Sequence, residues 1–100
     1  MAKYRKKPVV IEAMAVRELN HLAETDFWRL PKWMIEAYDR GEVLFLNHPS
    51  RIDIKTLEGT MTGNVDDWII CGVKGELYPC KPDVFEQTYV LVEDGEESAG

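Results

Sequence analysis

Reactive side chains are scarce in this chain of 100 residues. It carries two cysteines and two histidines, and its serines are Ser50 and Ser98. Neither serine stands in the strand–turn–helix context of a nucleophile elbow. Cys71, Cys80, His21 and His48 fall at no metal-ligand spacing. A chain of this size folds without covalent staples, so both cysteines read as reduced thiols. Cys80 lies between Pro79 and Lys81; an adjacent cation can lower a thiol's pKa, but no histidine is near it in sequence, which weighs against a nucleophilic role. Phosphate-loop and dinucleotide signatures are absent; Gly72, Val73, Lys74 and Gly75 are spaced for a hairpin instead. These absences argue against an enzyme and leave no catalytic residue, metal or cofactor to assign. No apolar run approaches the roughly 18 residues that cross a bilayer. Glu12, directly after Val9, Val10 and Ile11, interrupts any signal-peptide core, so the expected setting is the cytoplasm. Cations are also short: 12 Lys and Arg face 18 Asp and Glu, for a net charge of −6. That excludes general nucleic-acid binding, which depends on displacing phosphate counterions.

What is present fits one ordinary globular domain, with 45% hydrophobic and 30% charged residues. Residues 1–92 read as that domain, and the acidic residues 93–100 as a flexible tail. The opposite end is basic through Lys3, Arg5, Lys6 and Lys7. Residues 4–16 predict an opening strand, with Pro8 near its start. Leu19, Leu22 and Ala23 have the spacing of a short helix before Thr25 and Asp26. A better-marked helix starts at Pro31, buries Trp33, Met34, Ala37 and Tyr38, and stops at Gly41 as a left-handed cap. Short strands follow at residues 43–46, 51–57, 60–62, 68–71 and 76–79, with a turn at Gly63 and Asn64. Pro79 and Pro82 close the run, Asp83 caps a helical turn holding Phe85, and residues 88–92 form a last strand. The fold class is α+β: a mainly antiparallel sheet or small open barrel of six or seven short strands with one packed helix. The first and last strands are expected to pair with each other or with another chain.

Residues 4–13 read YRKKPVVIEA, and residues 31–37 fit PxWMxEA. Residues 56–61 read TLEGTM, 67–70 read DWII, and 72–89 read GVKGELYPCKPDVFEQTY. In this order the motifs resemble a family of small tailed-phage and prophage proteins, most of them of unknown function. The family usually has Gly where this chain has Asp66, which changes the loop before Trp68. The resemblance implies a phage-encoded, non-enzymatic binding protein in the cytoplasm of the infected host. One concrete form is counter-defence by sequestration of a nucleotide-type immune signal. The alternatives are an interaction or assembly module for a host or phage protein and, behind both, a small nucleotide-degrading enzyme.

Cations beside aromatic faces are what an anionic, base-containing ligand needs. The residues that supply them are Arg5, Lys7, Trp68, Lys74, Tyr78 and Lys81. The competing reading places Trp68, Tyr78, Phe85 and Tyr89 in the core. Glu58 and Glu76 are expected to lock turns by accepting backbone N–H bonds. A homo-oligomer is expected because so small a sheet leaves edges to protect.

Overall fold

The opening strand is short. In the computed structural model, which describes residues 1–5 and 8–92, β1 spans only Glu12–Ala15. The reason lies in its partner. β1 pairs antiparallel with β5 (Trp68–Cys71), Glu12 opposite Cys71 and Ala15 opposite Trp68. The chain of β5 turns away at Gly72, so residues 8–11 have no strand beside them, and Val9 and Val10 stay about half exposed. At the other end, the Val16 N–H donates to the Asp67 carbonyl at 2.9 Å. Val16 thereby closes the ladder and starts α1 (Val16–Thr25).

Helix α1 is a full ten-residue element, longer than its sparse apolar pattern suggested. Val16, Leu19 and Asn20 are buried, and Leu22 and Ala23 pack beside them at helical spacing. A 3-10 turn (Phe27–Arg29) leads into α2 (Lys32–Asp39). Pro31 stands immediately before this helix, and its carbonyl accepts the N–H groups of Met34 and Ile35 at 2.9 and 3.1 Å. Gly41 has φ +73°, as the sequence predicts. Its N–H reaches the Tyr38 carbonyl at 2.9 Å and that of Glu42 reaches Ala37 at 3.0 Å, the paired bonds of a Schellman stop. Met34 and Ala37 are buried as expected, whereas Tyr38 remains largely exposed.

Strands β2 (Val43–Leu46), β3 (Arg51–Thr56) and β4 (Gly59–Asn64) form one antiparallel sheet in chain order. Gly63 sits within β4 opposite Ile52, not in the turn that follows. The second sheet has the order β1-β5-β6, with β6 at Leu77–Cys80. Pro79 lies inside β6 rather than ending it. It faces Ile69, and that pair exchanges no ladder bonds: the Gly72 N–H to Glu76 carbonyl bond places the bonded pairs at Ile70/Tyr78 and Trp68/Cys80. The missing donor of Pro79 therefore points away from β5.

The described residues thus form an α+β fold of two three-stranded antiparallel sheets and three α-helices, without a closed barrel. The main core holds Val16, Leu19, Leu30, Met34, Ala37, Val43, Ile52, Ile54 and Ile69 between the sheets and the first two helices. Two expectations about the C-terminal part are corrected. Helix α3 (Pro82–Thr88) takes up the start of the supposed last strand, and residues 89–92 join no sheet. β1 accordingly pairs with β5, not with a final strand. The acidic tail lies outside the described residues.

Candidate functional site

The β1-β5-β6 sheet has two faces, assigned by strand alternation. Ile69 points into the main core, and Met14 and Leu77 pack against that core from the same side. Trp68, Ile70, Tyr78 and Cys80 point the other way, with Ala13 and Ala15 of β1. Helix α3 lies over this outer face. Phe85 stacks on Trp68 with ring centroids 4.2 Å apart and planes 7° from parallel. Tyr89, just beyond the helix, lies 5.3 Å from Phe85. Burial, and after it the neighbouring Tyr89, pushes the Tyr78 phenol up to about 12. Ile70 is fully buried yet stands outside the main core, beneath this aromatic group.

Lys81 marks the edge of the face, at the turn from β6 into α3. Its Nζ lies 3.3 Å from Oδ2 of Asp67, which is buried. The same carboxylate oxygen accepts the Asn64 N–H at 2.9 Å. Asp67 is thus the turn residue the sequence suggested and also the counter-ion of Lys81. Asp83, expected as the helix cap, instead takes the Val84 N–H at 2.9 Å from within the first turn; Lys81 holds the cap position.

The remaining candidates are elsewhere. Lys74 sits at the exposed tip of the β5–β6 turn, with the length of β6 between it and Lys81. Its N–H donates to Glu76 Oε1 at 2.9 Å, so Glu76 locks this turn as expected. At the β3–β4 turn that task falls to Thr56, whose hydroxyl accepts the Glu58 N–H and donates to the Gly59 carbonyl. Arg5 is exposed in the segment ahead of β1, which leaves the sheet at the Lys74 end. Lys7 lies outside the described residues. Of the six residues singled out from sequence, Trp68, Tyr78 and Lys81 come together. Phe85 and Tyr89 belong with them, a pairing signalled by their i,i+4 spacing beside Pro82.

Lys81 does not lower the pKa of the Cys80 thiol. That thiol is pushed up by burial, then by Asp67 and Asp83, while Lys81 turns its charge to Asp67. Burial, with Glu12 and Glu76, likewise raises Cys71. Both shifts run against thiolate formation. Among the described residues no group of three or more His, Cys, Asp or Glu is placed to hold a metal, and no helix is long and apolar enough to cross a membrane. An open cleft of about 350 Å³ lies between the end of β3 and the β5–β6 turn. Glu42 and Glu76 flank Lys55 on its lining, so it offers an anion no net attraction. No protein family, curated protein or solved structure matches this chain.

Proposed function

We propose that this chain is a non-enzymatic binding protein of the tailed-phage type, which takes up an anionic, ring-bearing small molecule. The ligand would be a nucleotide-type immune signal of the bacterial host, held in the cytoplasm and withdrawn from its receptor. The observation that carries the reading is the aromatic set on the outer face of the β1-β5-β6 sheet, Trp68, Phe85, Tyr78 and Tyr89, with Lys81 at its margin. Aromatic faces accept bases whatever their sequence, and a neighbouring cation selects for phosphate. The raised thiols favour binding over covalent chemistry. A homo-oligomer belongs to the same proposal, with a C2 dimer as its simplest closed form.

Calorimetric titration with cyclic dinucleotides and cyclic ADP-ribose-type molecules tests it. Heat is expected from at least one of them, and heating the complex should release that ligand with its mass unchanged. A folded sample that yields no heat with any of them removes the small-molecule reading, and an altered mass replaces the binder with an enzyme.

A second reading has its own observation. β1 is the outer strand of its sheet. The Val16–Asp67 bond sets a register in which Ala13 turns its N–H and carbonyl away from β5. An open edge preceded by exposed Val9 and Val10 suits addition of a partner's strand. A stoichiometric protein pulled down from infected cells, in place of calorimetric heat, would make this the function.

A further inference from the structure

The reading above leaves open where the ring of a ligand would sit, and this inference rests on that reading. We propose that the position of Phe85 against Trp68 is a slot for the planar ring of the ligand, and that α3 is a cover displaced to admit it. The stack itself supplies the first argument. Side-chain aromatic pairs favour edge-to-face or offset-stacked contacts, and elsewhere in this protein Phe27 meets Trp28 at 85° and Tyr38 at 66°, while Tyr38 and Phe45 stack at 30° with centroids 5.7 Å apart. Phe85 and Trp68 are the nearest to parallel, within 7° at 4.2 Å, the arrangement of a base on an aromatic platform.

The cover is weakly held. Helix α3 has seven residues, none of them buried, and no side-chain bond at its cap. A helix so short is not stable by itself. It is fastened through the Phe85 ring on Trp68, with Tyr89 beside Phe85 just past its end. Beyond Tyr89, residues 90–92 are exposed and join no element, so nothing described there pins the far end. What lies beneath, by contrast, is built and apolar: Ile70 at 0% exposure, flanked by Ala13, Ala15 and Trp68.

Charge gives the cover a direction. Asp83 and Glu86 are exposed on α3 and oppose an approaching anion. Swinging the helix about Lys81 and Pro82 carries both carboxylates off the face. Lys81 stays at the rim, its side chain 62% exposed, where a phosphate competes with Asp67 for the ammonium group. An acidic protein thereby becomes locally receptive to an anion once the cover has moved.

Two measurements test the proposal, with adenosine monophosphate as the probe. In the free protein, hydrogen exchange should open the α3 amides well ahead of those in β5 and α1. Emptying the slot with Phe85→Ala, or with Phe85→Leu where alanine does not fold, should tighten binding of the probe about tenfold, the scale of one base–aromatic stack. Trp28→Phe and Trp33→Phe in the background make the fluorescence report on Trp68, whose quenching should follow the titration. Exchange of α3 only through global unfolding overturns the cover. Failure of the folded Phe85 variants to bind the probe overturns the slot. If wild-type calorimetry nevertheless shows ligand heat, the binding function stands and its site lies elsewhere.

Discussion

Gly63 sets how closely the two sheets approach. A Cβ on it would come within 2.8 Å of Ile69 Cδ1 and 3.1 Å of Val16 Cγ2, both in the main core. The glycine is there for space, since its φ is not in the left-handed range. Gly63→Ala should destabilise the fold by about 1–3 kcal/mol, as overpacking of a filled core does, and Gly63→Val by more. Urea midpoints measure this, and Ile69→Val in the same chain should recover part of the loss. An unchanged midpoint for the valine variant would show that the sheets can separate freely. Asn20 is the complementary case of a buried polar residue. Its Nδ2 donates to Ser50 Oγ at 2.6 Å, and to the carbonyls of Arg51 and Leu46 at 3.3 and 3.4 Å, fastening α1 to the β2–β3 turn. In the sequence, Asn20 lies next to Leu19 in the helix marked by Leu19, Leu22 and Ala23. It is a fastening that needs a polar group on the buried side, which periodicity cannot signal.

Among the elements, β6 carries the group with the largest shift, Tyr78, on the face that α3 packs against. Tyr78 is raised from 10.0 to about 12 by its burial and by Tyr89. A phenol that holds its proton more tightly when folded contributes its full stability below pH 10.0, the unfolded value, and loses it as pH rises toward 12. The melting temperature should therefore fall in this alkaline window, and Tyr78→Phe should flatten the fall. Absorbance titration should find one tyrosine ionising late, and its absence would place Tyr78 in water. The same region explains what was and was not legible. The α2 boundaries were plain because Pro31 and Gly41 act locally, and β2 to β4 because alternation survives one-sided burial. Val90, Leu91 and Val92 look like a strand, but a strand requires a neighbour. The Tyr89 N–H is instead taken by the Phe85 carbonyl at 2.9 Å, in the last turn of the helix. Trp68, Tyr78 and Lys81 could be picked out as chemistry. That Phe85 would cover them, and Asp67 engage the lysine, depended on which strands pair, and sequence spacing does not reveal that.

The whole molecule separates residues that the sequence places together. Lys74 and Lys81 are neighbours in sequence but stand at opposite ends of the β5–β6 hairpin, so within one chain Lys74 does not join Lys81, Trp68 and Tyr78. The same architecture predicts an order of folding. The β2-β3-β4 sheet joins consecutive segments, whereas the other sheet must bring residues 12–15 against residues 68–71. Local pairings close short loops at small entropic cost and are expected to form first, with distant ones following. Ile54→Val should therefore chiefly slow folding, while Met14→Ala should chiefly speed unfolding, as chevron plots would read. Equal partition at both positions would mean that the two sheets form together. During synthesis β1 is made before β5, so its partner strand is missing until residues 68–71 have followed it.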